Sequence, residues 1–279
     1  MKPRLIIFLF IFLTGFYSRT GICQVPEWIM NGRENIPVVS VAGSFQVSEY
    51  AFDYKGDRYQ IGKYRTWSVI TSVWLPVAGQ VALYTHLPVW QQHSLSSKDR
   101  IPGSNTEGMG DPVFGLAYEN PFQAVTILLA GEMTFPIASS GRFDNPVPLG
   151  SGELKYAFHL QMQPNSSSGP LFWKIQATGE LRDLNRNHTA LVGAGFYYRY
   201  GRENLIGCPV TYQFPIGKIE ATDPAINGFG NGVSGLTVQP GGLVLLTREI
   251  GIHYQVRIPV TGGNRSSGLV WLAGVLVPI

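Results

Sequence analysis

The chain has 279 residues, 44% of them hydrophobic and only 14% charged, with a formal net charge of +3. Its 33 glycines, 19 prolines and 12% aromatic residues favour many strands and turns over a helical protein. Lys2, Arg4 and Arg19 fall in a stretch that reads as a removable leader; without them 18 Lys+Arg balance the 18 Asp+Glu, so no basic footprint for nucleic acid remains.

Residues 1–23 have the form of a secretory signal peptide. Lys2 and Arg4 make a positive start, residues 5–17 are apolar and uncharged, and Gly21-Ile22-Cys23 puts small residues at −3 and −1 of a cleavage before Gln24. The apolar run is shorter than the roughly 20 residues of a spanning helix. Cleavage would leave Cys208 as the single cysteine, with no disulfide framework and a place on an apolar face. Residues 24–37 are expected to be a periplasmic N-terminal segment ahead of one domain over 38–279.

From residue 38 onward the hydropathy alternates with period 2, the signature of strands with two unlike faces. Twelve strands are expected, near 38–49, 64–76, 79–91, 110–119, 123–136, 150–162, 170–182, 189–200, 203–215, 233–246, 249–260 and 267–279. In the third, Val81, Leu83, Thr85, Leu87 and Val89 oppose Ala82, Tyr84, His86 and Trp90. In the fifth, Val125, Ile127, Leu129 and Met133 oppose Thr126, Ala130, Glu132 and Thr134. Leu154, Tyr156, Phe158, Leu160 and Met162 alternate with Lys155, Ala157, His159 and Gln161 in the sixth. The seventh sets Trp173, Ile175, Ala177 and Leu181 against Lys174, Gln176, Thr178 and Glu180. In the eleventh, Ile250, Ile252, Tyr254, Val256, Ile258 and Val260 oppose Gly251, His253, Gln255 and Arg257. In all five, charge is confined to one face.

Three features carry this beyond a soluble β-sandwich. Several strands run to about 10–13 residues, near the 9–11 that a tilted strand needs to cross a bilayer. Short connections (77–78, 120–122, 163–169, 201–202, 247–248) alternate with long ones rich in Gly, Ser, Asn and Pro, notably 93–109, 137–149 and 216–232. The polar face is small and mixed, as suits a narrow lumen. The fold class is therefore all-β: a transmembrane antiparallel β-barrel of about 12 strands, with 10 or 14 as alternatives, both termini in the periplasm and the chain in the cell outer membrane. An apolar-Pro step at Leu87-Pro88, Phe135-Pro136, Phe214-Pro215 and Ile258-Pro259 is expected at strand exits before the outer loops. Trp67, Trp74 and Trp173 are candidates for aromatic girdles.

Gly108-Met109-Gly110-Asp111 opens the fourth strand after a strand–turn–strand over 66–90, and the fifth strand ends in Phe135-Pro136-Ile137. Gly108 and Gly110 would let the backbone turn tightly as it re-enters the wall, and Asp111 would bond a nearby N–H. This order resembles the outer-membrane family named for the MetA pathway of phenol degradation, mostly as a spacing pattern over 38–279. The resemblance implies a barrel that moves small, often hydrophobic compounds, and it brings no catalytic residues. The chain departs from the usual aromatic C-terminal residue by ending Val277-Pro278-Ile279.

There is no nucleotide loop, no Gly-x-Ser-x-Gly and no Cys-x-x-Cys, and His86, His93, His159, His188 and His253 have no metal-like spacing. No cofactor, metal or catalytic residue is expected. The candidate pore-lining residues are His86, Glu132, Lys155, His159, Lys174, Glu180, His253 and Arg257, read either as a selectivity path or as a salt-bridged plug. The functional expectation is an outer-membrane channel for passive passage of small compounds, hydrophobic or aromatic ones included, gated by loops 49–64, 93–109 and 216–232. The partners are membrane lipid, the solute, and the export and barrel-assembly machinery. Alternatives are a closed structural or adhesive barrel, a barrel-embedded lipid hydrolase using His188 beside Asn185, Arg186, Asn187 and Thr189, and a soluble sandwich.

Overall fold

The computed structural model describes residues 36–98, 103–122, 124–138, 149–150, 152–165, 169–182, 187–201, 204–217, 233–247 and 250–279. The expectations for the signal peptide and most of the N-terminal segment lie outside the described residues. The described chain contains β1 (Val38–Phe52), β2 (Arg58–Ala78), β3 (Val81–Leu95), β4 (Ser104–Gly108), β5 (Val113–Phe122), β6 (Val125–Thr134), β7 (Lys155–Pro164), β8 (Leu171–Arg182), β9 (His188–Tyr200), β10 (Asn204–Ile216), β11 (Gly235–Val238), β12 (Gly241–Leu245), β13 (Gly251–Pro259), β14 (Arg265–Ser266) and β15 (Val270–Pro278).

These strands form one closed antiparallel barrel of 12 wall positions. The count follows from three economies: β4 and β5 both pair β3 and share one position, β11 and β12 both lie between β10 and β13, and β14 is a two-residue stub on β1. Closure is made by β1 and β15, in register from Val38↔Pro278 to Gln46↔Val270. Each wall strand thus has a neighbour on both sides, which leaves no open edge.

The two faces are inverted relative to a water-soluble protein. Outward side chains are apolar and open: Phe158 is 61% exposed, Phe196 70%, and Leu83, Leu116, Leu129, Leu160, Ile206 and Trp271 are all exposed. Inward positions are polar and covered, among them Ser40, Ser44, Thr126, Gln161, Thr178 and Gln213. Apolar outside and polar inside is the surface of a barrel dissolved in lipid. Cys208 is exposed on that outward face, among Ile206 and Val210.

Short turns gather at one end with the termini, and long connections at the other; these are the turn end and the loop end. At the turn end Ile279 N–H donates to Pro37 O beside the Val38↔Pro278 pair. Phe45 aligns with Trp67 on β2 and with Trp271 on β15, and Phe45 and Trp67 ring centroids lie 4.1 Å apart, so an aromatic row girdles the outside near the loop end. Phe114 and Phe135 form a separate outer pair, with ring centroids 5.6 Å apart.

Several expectations change. Loops 49–64 and 93–109 are largely wall: β1 and β2 run on into a hairpin closed at residues 53–57, and β4 pairs β3 from Gln91↔Gly108 to Leu95↔Ser104. Among the described residues both are held by strand pairing. Of 216–232, residues 218–232 lie outside the described residues. The expected strand over 233–246 is broken at Gln239-Pro240 into β11 and β12, because proline has no N–H to give the ladder; Gln239 N–H still reaches Pro209 O and Val256 N–H reaches Pro240 O. The step at Pro88 is no strand exit. It lies inside β3 at a bulge, where the partners jump from Val69↔Trp90 to Ile70↔Pro88. One extra residue flips every later side chain. Gln91, His93 and Leu95 therefore point inward, and Trp90 points outward, donating its indole N–H to Glu107 at 3.0 Å. Trp74 also differs: it is buried inside, stacked on Tyr84 at 5.8 Å, while Trp67 stays outside.

Two inward tyrosines lie over glycines of adjacent strands. A Cβ on Gly207 would come 2.1 Å from Tyr197 Cδ1, and one on Gly115 would come 2.1 Å from Tyr84 Cζ. Gly207→Val is expected to lower stability by about 1–3 kcal/mol through overpacking, measured as a lower urea midpoint for the compact, heat-modifiable band. Gly179→Val, where a Cβ meets nothing within 4 Å, is the matched control. Equal midpoints for the two variants would show that the ring does not need the glycine.

Candidate functional site

Among the described residues the lumen gathers charged side chains from several strands, and it is stratified along its axis. At the turn end two apolar clusters line the wall. Val38, Trp74, Ala82, Tyr84, Ala117, Leu128 and Ala130 come from β1, β2, β3, β5 and β6. Phe172, Tyr197, Leu205, Leu243 and Leu276 come from β8, β9, β10, β12 and β15, with Phe172 and Tyr197 stacked at 5.4 Å. Together they make an apolar-aromatic collar. Leu128 and Ala117 are 1% exposed, so the collar is packed rather than merely lined.

Above the collar the strands β3, β6, β7 and β8 bring polar groups into one chain. Tyr84 Oη donates to Glu132 Oε2 at 3.2 Å, and His159 Nε2 lies 3.3 Å from the same oxygen. That contact is close enough for an ion pair when the imidazole is protonated, but it is not aligned as a hydrogen bond. His159 Nδ1 is 3.0 Å from Thr178 Oγ1 across β7 and β8. His86 sits one inward position beyond Tyr84, with Nδ1 2.7 Å from Ser72 Oγ.

Nearer the loop end a second group forms on β7, β8 and the segment before β7. Arg182 binds Glu153 through Nε at 2.7 Å and also through its second guanidinium nitrogen. Arg182 and Lys155 each lie 3.9 Å from Glu180, to which Thr189 also donates. Lys174, deeper in the barrel, has its ammonium 5.8 Å from the Tyr197 ring centre.

The opposite wall is basic. In the ring order β13 stands six positions from β6, hence across the lumen from it. It carries Arg257, whose Nε is 3.3 Å from Gln255 Oε1, and His253, whose Nε2 is 3.4 Å from Ser40 Oγ. Arg265 on β14 donates to Thr237 at 3.2 Å. A wall of paired carboxylates and cations thus faces one that carries arginines and a histidine. The Nε2 groups of Gln161 and Gln176 are buried in the β7–β8 wall without a hydrogen-bond partner in the protein.

All eight candidate pore-lining residues face inward: His86, Glu132, Lys155, His159, Lys174, Glu180, His253 and Arg257. The structure joins Glu132 with His159 and Lys155 with Glu180, and it brings His86 within electrostatic reach of both Glu132 and His159; Lys174 lies by the Tyr197 ring, His253 by Ser40, and Arg257 by Gln255 and within reach of Arg265. Sequence reasoning missed Glu153, Arg182 and Arg265. Arg182 was legible, since it follows Glu180 by two on the inward face. Glu153 and Arg265 precede or interrupt the regular alternation, so nothing periodic marks them.

Gly108, Gly110 and Asp111 act at longer range than a local turn. The residues 109–112 cross the β3 bulge, where β3 exchanges β5 for β4 as partner. Gly108 has φ +151, and a Cβ on Gly110 would lie 2.8 Å from Pro88 Cβ, while Gly110 N–H donates to Pro88 O. Asp111 Oδ1 accepts the N–H of Ala138 at 2.9 Å and clamps the connection after β6. His188 Nδ1 accepts the Arg182 N–H at 3.1 Å, so the ring shapes the β8–β9 connection; Asn185 and Arg186 lie outside the described residues. Among the described residues no cluster of three metal-ligating side chains occurs.

No family model matches the chain, and no curated protein does. Solved structures do. An outer membrane channel from Pseudomonas putida F1 superposes with a TM-score of 0.67 at 10% identity, covering 88% of this chain and 96% of the other. A mutant of the TodX monoaromatic hydrocarbon channel gives 0.50 at 7% identity over 88% and 90%. The translocator domain of the autotransporter NalP from Neisseria meningitidis gives 0.50 at 9% over 89% and 91%. At such identities the likeness shows the fold, that of an outer-membrane β-barrel, and the apolar exterior places it in lipid.

Glu153→Gln is expected to cost about 1–3 kcal/mol, because a buried guanidinium loses its closest charged acceptor, the contact to Glu180 being longer. The check is the unfolding midpoint in detergent; an unchanged value would mean the pair contributes nothing in the assembled barrel.

Proposed function

We propose that the protein is a passive, non-enzymatic channel of the outer membrane for small solutes that join an aromatic or apolar body to a polar group. The turn end faces the periplasm and the long loops face outward, the order that export through the periplasm favours. The observation that carries the reading is the division of the lumen. A solute entering from the loop end meets carboxylates, imidazoles and arginines on facing walls, which orient a polar group. It then meets a collar built on the stacked pairs Trp74–Tyr84 and Phe172–Tyr197, which suits an aromatic or apolar body. The resemblance to the family named for phenol degradation supports the same solute class, and so does the shared fold with an outer membrane channel and a hydrocarbon channel.

The His188 environment gives no support to a lipid hydrolase, since its Nδ1 is engaged by backbone. A closed structural barrel is favoured by one observation, the tight packing of Leu128 and Ala117 in the collar. The two readings separate in planar bilayers. The channel reading expects discrete conductance steps and faster liposome uptake of a small aromatic acid than of a sugar of equal size. A flat current trace with a correctly folded, heat-modifiable protein would support the closed barrel.

Ala117→Trp, which adds a ring to the collar, is expected to lower single-channel conductance by about half or more. Glu132→Lys should move the reversal potential in a salt gradient toward anion preference. If neither variant alters permeation, the path does not run through this lumen.

A further inference from the structure

On the outside of the barrel, just beyond the aromatic row, β2, β3 and β4 form a shallow groove of about 580 Å3 lined by Lys63, Arg65, Ser94, Ser96, Ser104 and Asn105 among others. Its floor is built by register. Arg65 aligns with Ser94, and Ser94 with Asn105, so a guanidinium, a hydroxyl and an amide stand in one outward row across three strands. Its sides are pinned together. Lys63 N–H donates to Ser96 Oγ at 2.7 Å, and Ser96 N–H donates to Lys63 O at 3.1 Å. Gly62 permits this approach, since a Cβ there would lie 1.7 Å from Ser96 O.

Depth and charge identify what the groove suits. Trp67, two residues from Arg65 along β2, belongs to the Phe45–Trp67–Trp271 row that marks the edge of the apolar band. From Trp67 to Val77 the strand spans about the 10 residues that cross a bilayer. Arg65 and Lys63 therefore stand at headgroup level on the loop side, roughly one and two outward positions past the aromatic row. Among the described residues neither cation makes an ion pair, and the nearest acid by register, Glu107, is held by the Trp90 indole. The neighbouring cations Lys55 and Arg58 are different: each rests on a ring, Tyr54 at 5.5 Å and Tyr50 at 4.1 Å.

We propose that this groove binds the phosphorylated sugar headgroup of an outer-leaflet glycolipid of the lipid A class. Arg65 takes a phosphate in its bidentate fork, Lys63 adds a second point charge, and Ser94, Ser96 and Asn105 bond phosphate or sugar oxygens. The acyl chains lie down the apolar exterior below Trp67. The proposal rests on the loop end facing outward, as in the channel reading, but not on permeation.

The test is native mass spectrometry of the full chain in detergent with diphosphoryl hexa-acyl lipid A. The wild type should retain one lipid, and the Lys63→Gln/Arg65→Gln double variant should bind at least about tenfold more weakly. Asn105→Asp, which puts a negative charge in the row, should weaken binding in the same direction, while Lys55→Gln/Arg58→Gln should change it less than about twofold. A phosphate-free glycolipid with the same chains should not be retained, and millimolar inorganic phosphate should not displace lipid A. Equal retention of the phosphate-free lipid would assign binding to the chains alone. Full displacement by phosphate would make the groove a free-anion site. Equal losses from both double variants would reduce the effect to net charge. Each of those three results overturns the proposal. Conductance is no part of the readout, so a silent pore would leave it standing, and a conducting pore would not rescue it.

Discussion

The pairing of every backbone N–H and C=O across the hydrocarbon layer governs this protein. An unpaired peptide group in lipid costs several kcal/mol, with no water to offset it. The register from Val38↔Pro278 to Gln46↔Val270 is therefore the interaction on which the rest depends, because it removes the last two edges. The prolines show how strict the condition is. Pro240 interrupts a wall strand, yet the ladder is held on either side by Gln239 donating to Pro209 and by Pro240 accepting from Val256.

Closure turns the alternation of side chains into function. Once the ring is shut, one face of every strand meets lipid and the other meets a narrow lumen, so the ordinary rule of burial is reversed. Phe158 is open to lipid while Glu132, one register row away on β6, is 7% exposed. Many polar groups held inside find partners from neighbouring elements: Tyr84 with Glu132, His159 with Thr178, Arg182 with Glu153. The wall of paired acids and cations on β6–β8 and the arginines on β13 and β14 result from strands distant in sequence that closure sets opposite each other.

The β3 bulge is the main irregularity and has the widest consequences. One extra residue at Val89 exchanges the faces of everything after it, sends Trp90 outward, turns Gln91 and His93 inward, and coincides with the point where β3 trades β5 for β4. Gly108-Met109-Gly110-Asp111 fits over that point because Gly110 has no Cβ to strike Pro88, and Asp111 ties the crossing to Ala138. The same shift places Ser94 and Ser96 on the outer surface beside Arg65 and Lys63.

The alternation in residues 81–87, 125–134, 155–162, 172–181 and 251–258 determined, without any structure, that charge would face one way and apolar bulk the other. Strand length and the rhythm of short and long connections determined the barrel class. Local pattern carries that information because a strand's period is set by its own backbone. Four things were decided only in three dimensions. The outward turn of Trp90 and the inward place of Trp74 depended on a register shift and on filling a collar from five strands. The extra wall at 58–63 and 104–108 came from pairing polar residues that alternate too weakly to announce a strand. The partnership of Glu153 with Arg182, 29 residues apart, needed the β7–β8 register. The facing of β6 and β13 needed the ring itself, since which walls oppose one another is a property of closure and not of any segment.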